Sequence, residues 1–209
     1  MRRCVIFGGA GIGDYNRISR YLKDDDFLIF CDSGLKHMEA LGLEPNLIVG
    51  DFDSHEDPQL DVETIVLPCE KDDTDTVFAV KEALKRGFDD FLLLGATGGR
   101  IDHTIGNLSI LLMLDTAGSH ALMVDDYSEM EIVSRSPAYI DDGYPYFSLL
   151  NISGTAERIT IENAKYPLDG AEITCDYQYG VSNEVLPGKT AKVTVGDGRL
   201  LLVKVLADS

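Results

Sequence analysis

The sequence predicts an α/β N-terminal domain with a mainly parallel sheet, followed by an all-β, sandwich-like C-terminal domain. Three observations carry this expectation. Up to about residue 126, short continuous apolar runs alternate with helical patterns, as in sheets covered on both faces. Beyond it, helical periodicity disappears and short strand patterns follow one another between glycines. The 209 residues, 44% of them hydrophobic, suffice for one large domain or two small ones. Domains are expected at 1–126 and 127–209.

In the first part the strand candidates are Cys4–Phe7, Phe27–Cys31, Leu47–Val49, Thr64–Leu67, Phe91–Leu94 and Ala121–Val124. A helix is predicted to start near Thr74, with Val77, Val80, Ala83 and Leu84 inward, and to stop at Lys85-Arg86-Gly87. A second is predicted from Asp102, with Ile105, Leu108, Leu111 and Leu112 inward. In the second part the candidates are Glu129–Val133, Tyr146–Asn151, Arg158–Glu162, Glu172–Cys175, Thr190–Val195 and Leu200–Val205. The Asp197-Gly198 turn between the last two predicts a hairpin.

A formal charge of −18 repels phosphate backbones and anionic lipid, which argues against nucleic acid and membrane partners. It welcomes a cation. The run after Met1-Arg2-Arg3 meets glycine at Gly8 and reads as a strand rather than a leader. No stretch approaches the ~18 apolar residues of a membrane span. Cys4 and Cys31 lie in apolar runs and no C-x-x-C pair occurs. Buried thiols in a reducing cytoplasm fit better than a disulfide or a zinc site.

Ligands of open parallel sheets bind outside the carboxyl ends of the strands. Those ends are followed by Gly8-Gly9-Ala10-Gly11, Asp32-Ser33-Gly34, Gly50-Asp51-Phe52-Asp53-Ser54, Glu70-Lys71-Asp72-Asp73-Thr74-Asp75 and Gly95-Ala96-Thr97-Gly98-Gly99-Arg100-Ile101-Asp102-His103. Glycines, carboxylates, one lysine and one arginine on one rim make a site for a metal and a polyphosphate. Spacing alone does not select the metal ligands, since Asp24/Asp26, Asp51/Asp53 and Asp73/Asp75 all share it. Position after a buried strand favours Asp51 and Asp53. Asp75 reads equally as a first-turn carboxylate on a helix dipole. Gly8–Gly13 fails the G-x-G-x-x-G spacing, which argues against a dinucleotide oxidoreductase. Backbone N–H groups around Thr97-Gly98 can face an anion, and Arg100 can hold phosphate with its planar fork or simply pair with a carboxylate. His103 reads as an orienting donor or a structural helix-start residue.

These blocks, in this order, resemble the bacterial thiamine pyrophosphokinase family. The likeness spans nearly the whole chain: Asp32-Ser-Gly34, Leu41–Ser54, Lys71–Asp75 and Leu94–His103, then Asn107, Lys165-Tyr-Pro-Leu168 and Gly180–Glu184. One departure is Ser33, where the family usually has a second glycine. The resemblance implies an ATP/Mg-binding catalytic α/β domain and a thiamine-binding β-sandwich. It implies a homodimer with thiamine bound across the subunit boundary. The reaction would move a pyrophosphoryl group from ATP to the thiamine hydroxyl, giving thiamine diphosphate and AMP. Asp51, Asp53 and Asp75 would hold Mg²⁺. Lys71 and Arg100 would neutralise phosphates, and Asp32 and Asp102 would position the nucleotide or the hydroxyl. Gly8, Gly9, Thr97, Gly98 and His103 would border the nucleotide, with Ser182 and Asn183 on thiamine. No general base is singled out. A pyrophosphokinase for another alcohol would keep the rim and change the β part; a non-catalytic cation-binding module would need neither Lys71 nor Arg100.

Overall fold

The first half is built on β1 (Arg3–Phe7), β2 (Phe27–Cys31), β3 (Leu47–Gly50), β4 (Thr64–Val66), β5 (Asp90–Leu94) and β6 (His120–Val124). Strands β1, β2, β3 and β5 are buried almost throughout, whereas the edge strand β4 is only partly covered, with Val66 exposed. The computed structural model describes residues 3–52, 60–70 and 72–207. It divides into two compact units, Met1–Asp126 and Tyr127–Ser209. In the first unit the strands run parallel in the order β4-β3-β2-β1-β5-β6. Sequential order reverses at β1, so a crevice opens between the chains leaving β1 and β5.

Alternation along each strand serves the two faces. Val5, Phe7, Leu28, Phe30, Leu92 and Leu94 pack in one cluster with Ile18, Leu35 and Met38, where Phe7 and Phe30 stack at 4.3 Å. Two short helices, α1 (Tyr15–Ser19) and α2 (Lys36–Leu41), supply that cover. Asp14 caps α1 by accepting the Arg17 N–H, and Gly42, at φ +63°, ends α2. The tight Asp32–Leu35 turn crosses β1 so closely that a Cβ on Gly34 would lie 2.2 Å from the Phe7 carbonyl oxygen.

Helix α3 (Asp75–Lys85) packs on β1, β2 and β3, and α4 (Ile101–Ala117) on β6. Both predicted helices exist, and Val80, Ala83 and Leu111 are buried as expected, but each buried face is turned from the predicted one. On α3 the buried residues are Thr76, Ala79, Val80 and Ala83. On α4 they are Asn107, Ile110, Leu111 and Leu114, while Ile105 is exposed. Several apolar stripes fit one helix as apolar as α4, so periodicity did not choose among them.

The second unit is antiparallel. Strands β7 (Ser128–Val133), β13 (Leu200–Val205) and β9 (Tyr146–Leu150) form one sheet region. A second sheet runs β11 (Leu168–Thr174), β10 (Thr155–Glu162), β12 (Thr190–Thr194), β8 (Ala138–Asp141). One apolar cluster draws on both, with Phe147, Leu149 and Leu202 from the first and Ile159, Ile173 and Val193 from the second. That is the expected sandwich. The predicted β12–β13 hairpin is not formed: β12 pairs with β10 and β8, β13 with β7 and β9. The Asp197-Gly198 turn instead carries the chain from one sheet to the other, with Gly198 at φ +85° against the Thr155–Ala156 backbone.

No helix among the described residues is long and apolar enough to cross a membrane. Cys4 and Cys31 are buried, and burial pushes the Cys4 thiol up, away from thiolate.

Candidate active site

A cleft of about 550 Å³ opens in the first unit, bordered by the segments after β1, β2, β3 and β5 and the first turns of α3 and α4. The crevice of the sheet and two helix N-termini thus share one opening, a setting that favours an anion.

Three carboxylates converge there. Asp32 follows β2, Asp51 follows β3 and Asp75 opens α3; one oxygen of each lies within 4.8 Å of the others. Asp32 is 5% exposed. Gly50 permits this approach, since a Cβ there would stand 2.7 Å from the Asp32 Cβ. Phe52, at φ +54°, is a strained non-glycine residue of the kind over-represented at functional turns. Three hard oxygen donors at this separation suit one divalent cation completed by water or phosphate oxygens. The sequence reading placed Asp51 and Asp75 in the metal set and Asp32 beside the nucleotide; geometry puts Asp32 with the other two. Asp53 and Lys71 lie outside the described residues.

The loop after β5 supplies the cationic side. Gly98, Gly99, Arg100 and His103 border the cleft. Arg100 is exposed and paired with Asp102 at 2.5 Å, so the pairing weighed from sequence is present. The guanidinium, first by its hydrogen bonds, holds the Asp102 carboxyl down at about 2. Thr97 turns its hydroxyl away, donating to Asp125 Oδ2 over 2.8 Å. The Asn107 amide, buried on α4, donates to the Ala96 carbonyl over 2.7 Å.

The glycine segment after β1 forms another wall. Gly9 borders the cleft and leaves room for Ser33, whose Oγ stands 1.8 Å from where a Cβ would be. Gly8 answers to the sheet: a Cβ there would lie 2.6 Å from the Gly95 carbonyl oxygen. Its requirement comes from the β1–β5 crossing. The far end of the segment is anchored by Asp126, which accepts the Gly13 and Asp14 N–H groups at 2.7 and 2.9 Å. The Asp126 carbonyl also accepts from Arg17. Asp125, Asp126, Lys36 and His37 escaped the sequence reading, because residues that hold loops from behind carry no spacing signal.

In the second unit, Asn183 is 5% exposed. Its Oδ1 accepts the Tyr166 and Glu184 N–H groups at 3.0 and 2.9 Å, and its Nδ2 donates to the Tyr166 carbonyl at 2.8 Å. This engagement favours the turn-shaping role over direct thiamine contact. Ser182 is exposed at φ +58°.

Two family sequence models match the chain, the thiamin pyrophosphokinase catalytic domain over residues 18–123 and the thiamin pyrophosphokinase vitamin B1 binding domain over residues 130–200. The thiamine pyrophosphokinase of Bacillus subtilis (strain 168) is 26% identical over 195 residues, covering 90% of this chain and 91% of that protein. A crystal structure of thiamin pyrophosphokinase from Geobacillus thermodenitrificans superposes with a TM-score of 0.83 at 27% identity, covering 100% of this chain and 99% of the other. The Bacillus subtilis enzyme's crystal structure, 24% identical, shares the fold with a TM-score of 0.85 over 99% of this chain and 100% of that one. The chain therefore belongs to the thiamin pyrophosphokinase family, enzymes that move a pyrophosphoryl group from ATP to thiamine.

Proposed function

We propose that the cleft of the first unit binds ATP with Mg²⁺ and that its rim residues carry the transfer. The observation behind this reading is the convergence of Asp32, Asp51 and Asp75 on a cleft that Arg100 also lines. Asp51, Asp53 and Asp75, together with Asp32, would hold the metal; bound there, Mg²⁺ supplies positive charge to the polyphosphate. Arg100 and Lys71 neutralise charge on the transferred oxygens and on the departing AMP. Asp102 holds the Arg100 fork until phosphate competes for it. Gly9 and Gly98 let the backbone approach the nucleotide, with Thr97 fixing the turn and His103 on the rim.

The second unit takes thiamine, as the description of its matching family model suggests. Ser182 lies at that surface and Asn183 fixes the Tyr166 segment beside it. The chain works as an isologous homodimer in the cytoplasm, a reducing compartment that suits the buried Cys4 thiol.

Incubation with ATP, Mg²⁺ and thiamine, followed by product separation, tests the reading. Thiamine diphosphate and AMP are expected in equal amounts. Thiamine monophosphate with ADP would overturn it, because it means attack at the terminal phosphorus. Light scattering at micromolar concentration should give twice the chain mass.

A further inference from the structure

Most of the nucleotide roles above fall on residues that border the cleft. Behind one wall lies a polar residue they do not use: His37, fully buried, near the start of α2. Its Nε2 is 2.9 Å from the Ala10 carbonyl oxygen and its Nδ1 is 2.8 Å from the Tyr15 hydroxyl. A carbonyl can only accept, so Nε2 carries the proton and Nδ1 accepts from the Tyr15 O–H. The next residue back, Lys36, donates from Nζ to the Gly9 carbonyl over 2.5 Å. The Ala10 N–H donates to the Gly95 carbonyl over 2.8 Å. There is little slack, since a Cβ on Gly95 would stand 3.0 Å from His37 Nε2.

In a planar trans peptide the carbonyl of one residue and the N–H of the next point in opposite directions. His37 draws the Ala10 carbonyl into the buried layer, and thereby turns the Gly11 N–H away from it. Gly11 is exposed and borders the cleft. Without a buried donor the Ala10 carbonyl would lose its partner, and an unsatisfied buried carbonyl is costly. The peptide would then gain by flipping its oxygen toward the cleft, where it would repel a polyphosphate.

We propose that His37 is a positioning residue for the nucleotide, holding the Gly11 peptide so that its N–H faces an acceptor atom of ATP. The proposal rests on the reading of this cleft as the ATP site, and the two are tested separately. Wild-type turnover of ATP and thiamine tests the reading itself.

Given that turnover, a volume-matched pair tests His37. His37→Met removes the donor and should raise the ATP KM about tenfold, the effect of losing one well-placed hydrogen bond. The thiamine KM should stay within about twofold. His37→Gln, whose amide can reach the same carbonyl, should bring the ATP KM back to within about threefold of wild type. Gly11→Pro deletes the N–H itself at an exposed position with open space beside its Cβ, and should match the methionine variant. Equal ATP KM values for His37→Met and His37→Gln, a thiamine KM that rises in step, or an unchanged ATP KM in Gly11→Pro would each overturn the proposal.

Discussion

Arg100 closes on Asp102 two residues further on, with Nη2 2.5 Å from Oδ2 and Nε 3.2 Å from Oδ1. Both side chains are well exposed, 71% and 62%, so the pair adds little to stability. Its value is to park a planar fork beside the cleft. Arg100→Ala should lower kcat by roughly 10²-fold, the scale of losing one electrostatic stabiliser, with an unchanged melting temperature. Arg100→Lys should recover only part, because a point charge cannot reproduce the two-pronged contact. Steady-state AMP release and thermal melting of both variants check this.

The carboxylate trio makes a separate prediction. Asp32→Asn and Asp51→Asn should each cost about 10²-fold in turnover at limiting Mg²⁺ and move the Mg²⁺ dependence to higher concentration. The fold should persist, since each change removes one of three like charges held within 4.8 Å. A Mg²⁺ titration of activity beside a melting curve separates the two effects. Near-normal Mg²⁺ dependence in Asp32→Asn would remove Asp32 from the metal set.

Acid should weaken the first unit through His37. Burial foremost, with the Lys36 charge adding to it and the Ala10 and Gly8 carbonyls opposing it, holds its folded pKa below the usual 6.5. The unfolded chain therefore takes up the proton first as pH falls. Stability is fully present above pH 6.5 and is lost as pH drops from there toward the depressed folded value. Tyr15 at Nδ1 and Lys36 alongside are the titratable neighbours. Between pH 7 and pH 5.5 the melting temperature of wild type should fall more steeply than that of His37→Gln, as calorimetry can show.

In the β unit, Asn183→Ala removes three hydrogen bonds to backbone groups. The loss should be about 1–3 kcal/mol, the cost of stranding buried polar groups, with the thiamine KM rising as the Tyr166 segment loosens. Ser182→Ala, at an exposed site, should change stability by less than about 0.5 kcal/mol. ATP affinity should be the same in both. Chemical denaturation alongside the two KM values decides it; a stable Asn183→Ala with a raised thiamine KM would restore the direct-contact role.

The sheet was legible because its strands are short, largely apolar runs ending in turn residues. What escaped has physical reasons. Helices α1 and α2 span five and six residues, too short for a 3.6-residue period to show. Strand β8 alternates in burial but only over the four residues Ala138–Asp141, with the large apolar Tyr139 on the exposed side, so its pattern is too short to stand out. Asp197-Gly198 signals a reversal of direction but not whether the next strand returns to the same sheet. At the site, Asp51 stood out by its position after a buried strand, and Asp75 entered the metal set through the family resemblance. Asp32 also follows a buried strand, but the resemblance gave it to the nucleotide or the hydroxyl, and its approach to the other two carboxylates is made by the sheet.

The first unit does not end where its last strand ends. Thr97 reaches Asp125, and Gly13 and Asp14 reach Asp126, so two walls of the cleft are tied down by the final two residues before the β unit begins. The seam in the chain is therefore also a fastening. A protein fragment stopped at Val124 would keep all six strands yet lose both ties, whereas one extended by two residues would retain them. Anyone dissecting the chain, or fusing another module at this junction, keeps both ties by cutting after Asp126 and loses them by cutting before Asp125.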